Sequence, residues 1–290
     1  MKHGFIKPFI RRRPNRSVAV DVLLILFLFL VAAVMALPIV YAISNSLKPL
    51  EELWVFPPKF LVRNPTLQNF KDLFNVMGSS IVPFSRYVFN TVFITFVGTG
   101  LHVVFASMCA YALGKLRFRG RNLIFSILVM SLMFNATVTT IPNFMIMTGL
   151  RMIDTYLALI IPAIGAPIGL YLMKQFIEQF PDALLEAARI DGLREFGVFW
   201  RIVMPNMKPA WLTLIVFSVQ SLWNTSTSVY IYEEELKPLG YAFQQITAAG
   251  ISRAGVGSAA AVVMISVPVV IFLFTQSRII ETMTSAGMKD

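Results

Sequence analysis

Six stretches without a charged residue, each long enough to cross a hydrocarbon core of about 30 Å as a helix, divide this chain and leave little choice of fold. They run from Val22 to Leu47, Tyr87 to Gly114, Asn122 to Leu150, Thr155 to Met173, Pro209 to Tyr232 and Ala254 to Ser277. With 57% of residues hydrophobic and 14% charged, the chain carries more apolar surface than a water-soluble domain of its size can bury. The excess must face lipid.

The placement of charge sets the orientation. With the N-terminus inside, the inner segments hold 17 of the 25 Lys and Arg residues, six of them between Lys2 and Arg16. That bias puts both termini in the cytoplasm. It also accounts for the net charge of +10 without nucleic acid as a partner. The Val22–Ile43 run is too long for a signal-peptide core and lacks a small-x-small cleavage site, so it reads as an uncleaved first span. The expected organisation is a basic tail over 1–21, a six-span domain over 22–277 and a second tail over 278–290.

Catalytic and metal chemistry find little support. Cys109 is alone, His3 and His102 have no partner at ligand spacing, and the spans hold no Asp, Glu, Lys or Arg. A membrane-embedded enzyme therefore lacks converging catalytic groups, while a channel remains compatible with the spans alone. Prolines 38, 142, 162, 167 and 268 lie in or beside the runs and are expected to kink them.

The longest inner loop, 174–208, reads as two short helices. Pro181-Asp182 suits a first turn, Gly192 a left-handed stop, and Pro205 an end. The first helix places Asp182, Glu186 and Arg189 on one face and Leu184 with Ala188 on another. Periodicity alone fits a docking surface or an amphipathic elbow on the membrane.

The residues of this loop resemble the EAA motif of membrane subunits of ABC importers that work with a separate solute-binding protein. The match is Glu186-Ala187-Ala188, Gly192, Ile202 and Pro205, with Met204 where the family has Leu. Further similarity to the carbohydrate branch lies in Ala188-Arg189-Ile190-Asp191-Gly192, in Thr66 to Phe70, in Tyr111 to Arg121, in Asp154-Thr155-Tyr156 and in Trp223-Asn224. The resemblance implies a type I ABC importer permease architecture, with Glu186, Ala187, Ala188, Asp191 and Gly192 forming a coupling helix that docks on a cytoplasmic ATPase. The implied partners are a second homologous permease, two copies of that ATPase and an extracytoplasmic binding protein, in a bacterial or archaeal cytoplasmic membrane. The chain has no G-x-x-x-x-G-K-[ST] loop, so ATP and Mg belong to the ATPase and this chain binds no cofactor.

Asn135, Thr137, Gln220, Ser221, Trp223 and Asn224 are candidates for the translocation path, because uncharged amides and hydroxyls can exchange hydrogen bonds with a sugar. Helix-to-helix bonding is the other use of such groups. The outer loop holding Tyr230, Tyr232 and Glu234 corresponds to one that, by resemblance, meets the binding protein; an ordinary solvated loop is the alternative. The C-terminal tail, by the same resemblance, reaches toward the ATPase. The chain's ending and its aromatic outer loops look closest to permeases for oligosaccharides, and an acidic one such as an alginate or pectin fragment is the expected cargo.

Overall fold

The computed structural model describes residues 18–78, 82–134, 136–226, 229–248 and 250–286. Among them every regular element is a helix. In chain order these are α1 (Val18–Leu47), α2 (Leu50–Leu53), α3 (Gln68–Gly78), α4 (Phe84–Lys115), α5 (Arg121–Ser131), α6 (Ala136–Gly149), α7 (Leu157–Ile164), α8 (Pro167–Glu178) and α9 (Asp182–Ile190). Then come α10 (Glu195–Val198), a π-helical turn (Phe199–Val203), α11 (Met204–Asn206), α12 (Lys208–Trp223), a 3-10 turn (Glu234–Leu236), α13 (Leu239–Ala248), a second 3-10 turn (Gly250–Arg253) and α14 (Ala254–Ala286).

Helix α4 is the centre of the bundle. It packs on α7, α8 and α12; α12 packs in turn on α14, and α14 on α1 and α3. Small residues permit the close crossings, as expected where lipid supplies no hydrophobic drive between helices. An added Cβ at Gly169 of α8 would lie 2.2 Å from Nε2 of His102 on α4 and 2.8 Å from Leu214 on α12. The same His102 uses Nδ1 to share a 2.7 Å hydrogen bond with Ser218 of α12, so three helices meet at one buried polar contact.

Four helical stretches among the described residues are long and apolar enough to cross a membrane: Ala19–Leu47, Phe84–Lys115, Leu157–Glu178 and Ala254–Gln276. A fifth follows if Glu195–Asn206 and Lys208–Trp223, bent by 80°, count as one. The predicted single span over Asn122–Leu150 is divided instead into α5 and α6. The 11 residues of α5 cover only about 16 Å, too short to cross alone. Breaks of this kind leave unpaired backbone groups that neighbouring protein must satisfy. Here α5 is held against α8 by the stacked rings of Phe125 and Tyr171, 6.2 Å apart, and by Lys174 Nζ lying 3.7 Å from the Phe125 centroid.

One of the five prolines marks a discontinuity. Pro167 opens α8 after the break at Gly165 and Ala166, while Pro38, Pro142, Pro162 and Pro268 lie within helices that continue through them. At the 80° bend Pro209 lies two residues after Met207, and the carbonyl of Met204 accepts from the Met207 N–H at 3.3 Å and from Trp211 Nε1 at 3.1 Å.

Candidate functional site

Helix α9 carries the EAA residues, and its ends are built as the sequence requires. Pro181 precedes it in extended backbone, and Asp182 in the first turn and Arg189 in the last complement the helix dipole. At the other end the N–H of Leu193 donates to Ala188 O (3.1 Å) and the N–H of Gly192 to Arg189 O (3.0 Å). This paired closure needs a left-handed residue, and Gly192 has φ +86°.

One face of α9 is inside the protein. Leu185 and Ala188 are buried in a cluster with Ala110 and Tyr111 of α4, Met173 and Ile177 of α8, and Val198, Phe199 and Val203 of the following arm. The opposite face is open: Glu186, Ala187, Asp191 and Gly192 are exposed, as are Leu184 and Ile190, the last at 86%. The pairing of Leu184 with Ala188 expected from sequence is thus Leu185 with Ala188, three apart, and the larger Leu184 points outward. Ala188 supports the helix from below. Its smallness lets α9 approach α4 and α8.

Ion pairs fasten this helix to the bundle at both ends. Lys115, the last residue of α4, donates to Asp182 Oδ1 (2.7 Å) and to Phe180 O (2.6 Å). Glu195 receives Arg189 Nε at 2.8 Å on one oxygen and the Tyr111 hydroxyl at 2.6 Å on the other. The Glu186 side chain, between the clamps, makes no hydrogen bond or ion pair among the described residues. Sequence reasoning placed Tyr111 and Lys115 in a family-like turn, and Lys115 among the orientation charges, without a contact for either, and passed over Glu195. The partners lie 84 and 67 residues apart in the chain.

Two outcomes follow. Lys115 holds the Asp182 carboxyl below its ordinary value, by hydrogen bond first and by charge second. The clamp is therefore at full strength above the ordinary carboxylate pKa of about 4 and is lost as pH falls through the depressed value. Amide exchange in the first turn of α9, corrected for intrinsic rates, is expected to be flat between neutrality and mild acidity and to rise only in strong acid, with Lys115→Met high throughout. At Gly192 nothing lies within 4 Å of an added Cβ, so the cost of substitution is backbone strain. Gly192→Val is expected to lose on the order of 1–2 kcal/mol locally and to expose the last-turn amides, whereas Gly192→Asn, tolerant of this conformation, keeps them protected.

The candidate path residues separate into two environments. Gln220, Ser221 and Asn224 are exposed and share one face of α12 with Phe217, at spacings of three and four. Trp223 is on the other side, 6% exposed, its Nε1 donating to Met264 O at 3.0 Å, so its ring anchors α12 to α14. Thr137 is exposed on α6, and Asn135 lies outside the described residues. The described ones among these residues are not brought to one cavity in this chain.

The loop after α12 is anchored at many points. Tyr87 donates to Glu234 Oε1 (2.8 Å) and Lys237 to its Oε2 (2.6 Å), while Asn90 Nδ2 donates to the carbonyls of Glu235 and Lys237. Both carboxylate oxygens of Glu234 are thereby occupied within the chain. Asp154 Oδ1 accepts from the backbone N–H groups of Tyr232 and Glu233, and Tyr230 stacks on Phe144 at 6.4 Å. The Tyr232 ring stays 60% exposed.

Comparison with known proteins matches residues 102–285 to a family described as binding-protein-dependent transport system inner membrane component. The arabinooligosaccharides transport system permease protein AraQ of Bacillus subtilis (strain 168) is 30% identical over 288 residues, covering 97% of this chain and 99% of that one. The polygalacturonan/rhamnogalacturonan transport system permease protein YtcP of the same strain is 31% identical over 212 residues, covering 73% of this chain and 72% of the relative. A crystal structure of a bacterial ABC transporter involved in import of the acidic polysaccharide alginate contains a chain with TM-score 0.74 and 25% identity, covering 92% of this chain and 99% of that one.

Proposed function

Because the chain belongs to the binding-protein-dependent transport system inner membrane components, as a permease of carbohydrate ABC importers, we propose that it forms half of an alternating-access pore and takes its drive through the exposed face of α9. The observation that carries this reading is the clamped helix: a rigid element, tied to α4 by Lys115 and by the Tyr111–Glu195–Arg189 bridge, presents the unpaired carboxylate of Glu186 outward. A force applied there reaches the central helix directly. An importer permease works with an ATPase and a solute-binding protein. In our reading two ATPase copies, which hold the ATP and Mg, meet the 174–208 loop, and a second homologous permease completes the pore.

The same reading takes α5 and α6 together as one crossing, which with the bent α10–α12 stretch gives six spans over 22–277 and places the tails 1–21 and 278–290 in the cytoplasm. Gln220, Ser221 and Asn224 then line the path with the partner permease, and the Tyr230–Glu234 loop faces the binding protein through Tyr232. For cargo we favour an acidic oligosaccharide, supported by the alginate transporter's overall likeness and by the polygalacturonan relative.

Purification of the tagged chain in mild detergent is expected to recover a second multi-span permease and an ATPase with a phosphate-binding loop; recovery of the chain alone would sink the assembly. Cells supplied with labelled oligogalacturonate are expected to accumulate it only when the chain is present. Accumulation of neutral arabinooligosaccharide instead would overturn the cargo and leave the permease standing. Single cysteines at Arg117 and Glu233, probed from each side, should react from opposite faces.

A further inference from the structure

The segment following α1 folds back along that helix. The Phe60 ring lies 5.5 Å from that of Tyr41, Ser44 Oγ donates to Phe60 O at 2.8 Å, and Lys48 Nζ donates to Lys59 O. Tyr41 is inside the apolar run of α1, so these contacts fix residues near Phe60 at the depth of the helix's last turns. The frame of the fold-back is internally satisfied: buried Glu52 accepts from the N–H of Arg63 (2.8 Å), and buried Asn69 donates to the carbonyls of Ser46 (2.9 Å) and Lys48 (2.7 Å). It can present its edge without collapsing.

That edge is apolar and aromatic. Trp54, Val55, Phe56, Phe60 and Leu61 are all exposed, Phe56 at 92%, and they continue the exposed apolar surface of α1. The exposed Arg63 and the half-buried Lys59 flank them, and neither side chain has a partner within the described chain. Rings at the depth of a helix end, bordered by cations, suit the boundary between acyl chains and phosphates.

We propose that the Trp54–Leu61 edge is a lipid-binding surface: its rings enter the headgroup boundary of the bilayer, and Lys59 and Arg63 engage lipid phosphate. The surface would fix the depth of α1 at this end. The inference needs only that α1 spans the membrane, and stands whichever side this end occupies and whatever the cargo.

The test is a nitroxide placed by Phe56→Cys in a Cys109→Ala background, with the protein reconstituted in phosphatidylethanolamine–phosphatidylglycerol vesicles. Depth is read from collision with oxygen against a water-soluble nickel chelate, calibrated by phospholipids labelled at known positions. We expect oxygen collisions several-fold above those of the chelate and a depth just below the phosphates. Lys59→Glu with Arg63→Glu should bring the label closer to water. A label open to the chelate would place the edge in water, and one shielded from both reagents would place it against protein; either result overturns the proposal.

Discussion

Glu186→Lys is expected to abolish uptake while the chain remains in the membrane at its normal level. The side chain is exposed and bonded to nothing among the described residues, so reversal disturbs folding by no more than the ±0.5 kcal/mol or so typical of surface changes. A docking contact is different, because a like-charge juxtaposition or an unpaired charge buried against a partner costs several kcal/mol. Uptake of labelled oligosaccharide, beside immunoblots of the membrane fraction, separates these effects. Normal uptake would remove α9 as the ATPase contact, and loss of uptake with loss of the chain would mean a folding defect.

The second large effect lies in the bundle core. At Gly169 a new Cβ meets the His102 ring, which cannot swing away cheaply because Nδ1 is engaged with Ser218 and the ring is buried. Overpacking of this kind costs about 1–3 kcal/mol, and Gly169→Val should lower the melting temperature in detergent and reduce uptake together. The contact is specific enough for a cycle. His102→Ala vacates the volume that the new methyl needs, so Gly169→Ala should be less damaging in that background than alone. Additive effects would show that α8 is held off by something other than the ring.

Much of the fold was legible because hydropathy and charge report where a chain meets lipid. The first, second and last runs became continuous helices near their expected limits, and the fourth became a span with one short break at Gly165 and Ala166. The third did not: hydropathy measures composition and is blind to continuity, so the division of 122–150 into α5 and α6 left no trace in it. The 174–208 loop was legible locally, from Pro181 through Gly192, since caps are set by neighbours in sequence. Its fastening was not, because Tyr111 and Glu195 meet only after α4 and α9 have packed. Trp223 illustrates the same limit. An aromatic beside polar residues suggests a sugar platform, but only the position of the Met264 carbonyl shows that the indole is engaged elsewhere.

The neighbourhood of α1 and α14 bears on how the protein is made. Helix α1 leans on α14 and, near its end, on α3, and none of its apolar window is buried. The ribosome delivers α1 well before α14. At about 5–20 residues per second, the stretch from Leu47 to Ala254 takes on the order of ten seconds or more to synthesise. During that interval the first helix resides in lipid without its main neighbour. Its uniformly apolar surface is what makes the wait tolerable, and closure of the bundle must await α14.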